Sequence, residues 1–114
     1  MAKLTILKEI NSAHGSKIHG HTFQIEFHFE GELENNMVGN LDFHVIEPQI
    51  DEIISKIDKI YLDDVIKPRA TIENIAIYLL KNLVNLQKLY SIKVWEGKDK
   101  NVEIFKEEIK WKKN

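Results

Sequence analysis

No cysteine occurs anywhere in the 114 residues. Its absence excludes disulfides, thiolate metal ligands and a thiol nucleophile at once, so any bound metal must be held by histidine and carboxylate. No apolar run approaches the roughly 18 residues that suggest a membrane span. The opening stretch, MAKLTILKEINSAHG, carries neither a long apolar segment nor a small-residue cleavage site. The expectation is a cytoplasmic protein that stays off membranes. A net charge of −2, with a single arginine, leaves no general electrostatic pull toward nucleic acid. The short basic tail KWKKN (110–114) reads as a solvated end. A chain of this length holds one core, so residues 1–114 are read as a single domain.

What is present alternates. In HTFQIEFHFE (21–30), Phe23, Ile25, Phe27 and Phe29 share one face, while Thr22, Gln24, Glu26 and His28 share the other. This is the period of two that marks a half-buried strand. KLTILKEI (3–10) has strand-like content with imperfect alternation. GELENNMVGNLDFH (31–44) reads as a connecting loop, with Asp42 as an Asx-turn residue and His44 in or just after it. The period then lengthens: Ile46, Ile50, Ile53, Ile54 and Ile57 fall at helical spacing, with Pro48 tolerable in the first turn. Asp58 and Lys59 are read as the end of this helix. A second helix is expected from Thr71, a natural N-cap, with Ile72, Ile75, Ala76, Leu79, Leu80 and Leu83 inward. LYSIKVWEG and NVEIFKEEIKW, joined by the turn-like GKDKN, supply two further strands. The order ββααββ predicts an α+β domain with two helices on one face of a four-stranded antiparallel sheet. Such a sheet leaves its edges open to pairing between subunits.

Five histidines are present, and three crowd together. His19 and His21, two apart on a strand, point the same way, with Gly20 keeping the backbone between them uncrowded. His14, in the preceding loop, is near enough in sequence to complete a set. Three neutral imidazoles suit zinc and leave a fourth position for water or substrate; the alternative is three ordinary strand-end histidines. His28, on the polar face, is expected to be solvated. Glu96 continues the stripe of Tyr90, Ile92 and Val94, where burying a carboxylate is unfavourable unless a partner meets it. It either emerges at the strand end or anchors a ligand through two parallel hydrogen bonds. Glu73, in the first turn of the second helix, is favoured there by the helix dipole whether or not it binds anything.

In order, SAH…HGHTF, GNLDF, IDKIYLDD, ATIENIA and VWEG resemble the 6-pyruvoyl-tetrahydropterin synthase and 6-carboxy-tetrahydropterin synthase family over residues 10–97. The resemblance implies the tunnelling fold and a zinc ion on His14, His19 and His21. It also implies a pterin substrate held by Glu96, with Thr71 and Glu73 lining the same pocket, and a homo-oligomer, commonly a hexamer. The departures matter as much. The family's usual catalytic cysteine falls at Gly15, and the loop before H-G-H is shortened to GSKI. The family's D-H-x-x-L-N reads DKIYLD, keeping Asp58 but placing Lys59 where the histidine stands. Asp58 and Lys59 are therefore the catalytic candidates by position, with Lys17 and His44 as further proton-transfer groups. The implied activity is a zinc-dependent lyase acting on a dihydropterin such as 7,8-dihydroneopterin triphosphate, either a divergent synthase or an enzyme cleaving the dihydroneopterin side chain. The alternatives are a pterin-binding homologue without catalysis, or a structural oligomer in which zinc stabilises the short loop.

Overall fold

The computed structural model describes residues 1–109. The strands β1 (Ala2–His14), β2 (His19–Gly31), β5 (Leu89–Glu96) and β6 (Lys100–Phe105) form one antiparallel sheet in the order β1–β2–β5–β6. The helices α1 (Phe43–Ser55) and α2 (Ile72–Asn82) lie between β2 and β5 in sequence. Phe23, Ile25, Phe27 and Phe29 of β2 are fully buried in one core with Ile50 of α1 and Ile75, Leu79 and Leu80 of α2. Burial of each such side chain stabilises the fold by about 1.5–3 kcal/mol. This is the expected four-stranded α+β architecture with two helices, the tunnelling fold. Among the described residues no helix is long and apolar enough to cross a membrane. The basic tail 110–114 and the end of the last expected strand lie outside the described residues.

Several boundaries differ from the sequence expectation. β1 runs to His14 because it pairs with β2 residue for residue from Ala2↔Gly31 to His14↔His19; backbone pairing extends a strand past the end of its clean alternation. The expected loop 31–44 contains a two-stranded ribbon, β3 (Leu33–Glu34) and β4 (Met37–Val38). Its turn residues Asn35 and Asn36 have positive φ, a conformation asparagine tolerates. Asp42 caps α1, accepting the His44 N–H at 2.8 Å, so His44 sits in the first turn.

The first helix ends at Ser55, short of Asp58 and Lys59. Lys59 stands at φ +60°, in a turn whose backbone pairs instead with β1. In β5 the alternation slips: Phe27 faces Ile92 and His28 faces Ser91, but Phe29 faces Leu89. The irregularity leaves Tyr90 as the extra residue and moves Leu89 into the core, so Tyr90 does not share the stripe of Ile92 and Val94.

Candidate metal centre and pterin pocket

At its far end the helix-covered face of the β1–β2 pair changes from apolar to polar. Facing pairs along this face run Ile10↔Phe23, Ser12↔His21 and His14↔His19. His14 is thus the last residue of a strand, directly across from His19, and not a loop residue. The hairpin closes through Gly15 at φ +96°. A Cβ there would lie 2.9 Å from the His19 ring, so the position combines a backbone only glycine adopts readily with a space only glycine leaves open. Gly20 is different: among the described residues a Cβ there would meet nothing within 4 Å, so crowding does not explain it.

The three imidazoles come together. Ring centroids are 4.6 Å apart for His14–His19, 5.1 Å for His14–His21 and 4.7 Å for His19–His21. Phe23 supports the cluster from below, its ring edge-on to those of His14 and His21. Register places Glu96 of β5 opposite Phe23. Its Oε2 stands 3.0 Å from His21 Nε2 and 3.4 Å from His14 Nε2. One donor atom from each of His14, His19, His21 and Glu96 lies within 4.8 Å of all the others.

The donor set passes a stricter test of fit to a cation. His14 Nδ1 lies 2.7 Å from the Ala70 carbonyl oxygen, and His19 Nδ1 lies 2.6 Å from that of Lys17. A carbonyl only accepts, so in the neutral ring each Nδ1 carries the proton and each Nε2 presents a lone pair. His14 Nε2 is buried and makes no hydrogen bond among the described residues. Its near neighbour is a carboxylate oxygen, also an acceptor. Two facing acceptors are reconciled by a cation between them, and neutral imidazole nitrogens with a carboxylate oxygen suit zinc.

A cavity of about 850 Å³ opens beside the cluster, lined by His14 and Glu96 and by Thr71 and Glu73 at the start of α2. Thr71 caps that helix, accepting the Asn74 N–H at 3.1 Å. Lys67 and Arg69 line the same cavity. Asp58 and Lys59 do not. Lys59 lines a separate hollow of about 640 Å³ with His21 and Thr22, and Tyr61 lines both. The Asp58 carboxylate accepts the Asn11 N–H at 2.9 Å and holds the turn against β1.

Tyr61, Asp63 and Ala70 are among the contributors to the site that carry no signal in the sequence. The stretch 59–61 pairs with the end of β1: Lys59 N–H donates to Asn11 O and Ala13 N–H to Ile60 O, both at 2.9 Å. That pairing carries Tyr61 and Asp63 to the hairpin. Tyr61 donates its hydroxyl hydrogen to Gly15 O at 2.9 Å. Asp63 accepts the Ala70 N–H and the Gly15 N–H, each at 2.6 Å. These two bonds, Ala70 first, hold the Asp63 carboxyl below the usual carboxylate range, against the effect of desolvation. Desolvation, then the charges of Asp63 and Asp64, push the Tyr61 phenol up. No local spacing signals this group, because long-range backbone pairing assembles it. His28, expected to be solvated, has only 16% of its side chain exposed, because it packs between Thr5, Glu26 and Tyr90.

Comparison with known proteins identifies the family and the fold. A dihydroneopterin monophosphate aldolase of Pyrococcus furiosus is 31% identical over 113 residues, covering 90% of this chain and 96% of that protein. A putative 6-carboxy-5,6,7,8-tetrahydropterin synthase of Archaeoglobus fulgidus is 32% identical, covering 77% of this chain and 76% of the other. The solved structure of Caenorhabditis elegans 6-pyruvoyl tetrahydropterin synthase superposes with a TM-score of 0.82 at 18% identity, covering 91% of this chain and 94% of that one, a likeness of fold. The family model for 6-pyruvoyl tetrahydropterin synthase matches residues 4–108. Nearly the whole described chain falls within that match, and on it the protein belongs to the 6-pyruvoyl tetrahydropterin synthase family of pterin-metabolising enzymes.

Proposed function

We propose that this protein is a zinc-dependent lyase that cleaves the side chain of 7,8-dihydroneopterin monophosphate by a retro-aldol reaction. The observation that carries the proposal is the convergence of His14, His19 and His21 beside Glu96 in a chain with no thiol. The similarity to an aldolase over almost the full length of both chains supports side-chain cleavage over the thiol-assisted synthase reaction. Gly15 supports it too: a cysteine there would need φ +96° and a Cβ 2.9 Å from the His19 ring.

In the reaction the C2′ hydroxyl loses its proton and the C1′–C2′ bond breaks. The electron pair passes through C6 to N5, which takes up a proton. C1′ then takes a proton as N5 gives its proton up, which restores the C6–N5 double bond and leaves 6-hydroxymethyl-7,8-dihydropterin, while C2′ and C3′ depart as glycolaldehyde phosphate. No water, oxidant or second substrate is consumed. A zinc ion on the three histidines would supply Lewis acidity to a side-chain oxygen. The chain's own groups bind and move protons. Glu96 turns Oε2 toward the imidazoles; its other oxygen, with Thr71 and Glu73, is assigned to the pterin ring. Lys67 and Arg69, on the rim of the same cavity, are assigned to the phosphate. Proton transfer is assigned to Lys59 by its place in DKIYLD, with Asp58 holding its turn; Lys59 lines the neighbouring hollow with His21, whose Nε2 stands 3.0 Å from Glu96, so the side chain must reach the substrate past His21 from that side. Such a group contributes about 10²–10⁴-fold, so Lys59→Met should lower kcat by about 10²-fold or more with metal content unchanged. The proposal includes a homo-oligomer, supported by the outer edge of β6, which has no partner strand among the described residues. A monomeric mass by light scattering would remove that part.

The test is to incubate zinc-loaded protein with 7,8-dihydroneopterin monophosphate and separate the pterin products. The expected result is 6-hydroxymethyl-7,8-dihydropterin and glycolaldehyde phosphate in equal amounts, lost on chelation. Intact substrate with zinc bound overturns the proposal and leaves a pterin-binding role.

A further inference from the structure

We propose that Asp63 is the positioning residue of the metal centre: by holding the Gly15 and Ala70 backbones with its two carboxylate oxygens, it sets the carbonyl that fixes the proton of His14. The inference rests on the metal-binding part of the proposed function and on none of its chemistry. Oδ1 takes the Ala70 N–H and Oδ2 the Gly15 N–H, both at 2.6 Å. The other side of residue 70, its carbonyl oxygen, receives His14 Nδ1–H at 2.7 Å. One side chain thus clamps the residue that follows His14 and the residue to which His14 is bonded. His14, at 9% exposure, is left with one orientation and with Nε2 toward His21 and Glu96. Histidine ligands depend on such a bond at the second ring nitrogen for tautomer and direction.

The residue type matters at this position. A carboxylate accepts at both oxygens, whereas an amide has one acceptor and an NH2 that would face an N–H donor. Tyr61 serves as the milder comparison: its hydroxyl ties Gly15 through the carbonyl at 2.9 Å and bears on the Asp63 carboxylate, but does not hold Ala70, so losing it leaves both N–H bonds of Asp63 in place. Lys67 Nζ, donating to Asp63 O at 2.7 Å, braces the backbone and leaves the carboxylate to the two N–H groups and the nearby Tyr61 hydroxyl.

The experiment compares the full-length protein with Asp63→Asn and Tyr61→Phe. Zinc affinity is read by chelator competition, and His14 is read in the metal-free proteins by long-range ¹H–¹⁵N NMR. Neither measurement needs turnover, so failure of the lyase activity leaves this test standing. The expected result is a single Nδ1–H tautomer in the unsubstituted protein, mixed tautomers in Asp63→Asn and zinc binding weakened by about 10–100-fold. Tyr61→Phe should keep the tautomer and stay within about 3-fold in affinity. An Nε2–H tautomer in the unsubstituted protein overturns the proposal, as do unchanged affinity and tautomer in Asp63→Asn. If Asp63→Asn is marginally folded, its dissociation constant is read from the dependence of Tm on zinc concentration. A variant still unfolded at saturating zinc assigns Asp63 to folding alone, which also overturns the proposal.

Discussion

Two histidines in this molecule keep a buried Nε2 without a hydrogen bond among the described residues, and they stand on opposite faces of the same sheet: His14 in the metal centre and His28 on the outer face. Burial does not separate them; the surroundings do. Around His14 the second nitrogen is fixed by a carbonyl, and two more imidazoles and a carboxylate converge on the first. Around His28 the second nitrogen faces the Thr5 hydroxyl at 3.4 Å, which can donate or accept, and Nε2 faces the lone carboxylate of Glu26 at 3.0 Å. Glu26 is already tied to Trp95, whose Nε1–H donates to it at 2.6 Å. A metal centre therefore needs a settled tautomer and several convergent donors; a buried histidine beside a carboxylate does not suffice.

The sharpest way to break this comparison is to remove each imidazole in turn. His14→Ala takes away a donor from the cluster and should weaken zinc binding by well over the roughly 100-fold typical of losing an outer partner. His28→Ala should leave zinc affinity within about 2-fold. Chelator competition reads both. A large loss in His28→Ala would mean that the outer face communicates with the centre, and the distinction drawn above would fall.

The hairpin that brings His14 to His19 gives the next largest effect. Gly15→Cys restores the residue type the family usually carries there, but at φ +96° and against the His19 ring. A left-handed non-glycine residue costs about 1–2 kcal/mol before any clash, and about 4–8 °C of Tm follows each kcal/mol in a domain near this size. Calorimetry should show Tm lower by at least several degrees, with no synthase activity gained. A variant of unchanged stability would show that the turn relaxes freely and that the thiol is simply missing, not sterically excluded.

The contrast between the two faces also explains what the sequence could show. The period of two in β2 and of 3.6 in the helices sets which face is buried, and both survive in the core of Phe23–Phe29, Ile50, Ile75 and Leu79. The H-G-H spacing was enough to place His19 and His21 on one side, and the late glutamate reached them by register. Asp63, Ala70 and Tyr61 carry no such signature, because the bonds that recruit them to the hairpin join residues 46 to 56 positions apart. His28 was misread as solvated for a related reason: alternation gives the face of a strand but not what covers that face, and here Tyr90, displaced outward by the β-irregularity at residues 28–29, helps to cover it. Family order, more than pattern, pointed to Glu96 and Thr71.

A smaller effect is expected at acid pH, and it separates the clamp from the rest of the charge network. The folded carboxyl of Asp63 lies below its usual value, with the Ala70 N–H as the largest cause. A depressed folded pKa gives stability that is present above the unfolded value, about 3.9, and lost as pH falls through the folded one. In metal-free protein the stability difference between the unsubstituted chain and Asp63→Asn should shrink as pH is lowered below about 4. A difference constant through that window would mean that the carboxylate is not preferentially stabilised in the folded state.

The smallest effect is the most discriminating for His28. Its Nε2 is buried and unsatisfied, and the ring touches Thr5, Glu26 and Tyr90. A phenylalanine of similar shape removes the unsatisfied nitrogen and keeps the packing, while Glu26 retains its bond to Trp95. Replacing a poorly paired buried polar group by an apolar one of the same shape is close to neutral. His28→Phe should therefore move unfolding free energy by less than about 1 kcal/mol and leave zinc binding intact, measured by denaturant titration and chelator competition. A loss of several kcal/mol would show that the Glu26–His28 contact is a strong bond, and that its alignment, unlike that of the Glu96–His14 pair, needs no cation to reconcile it.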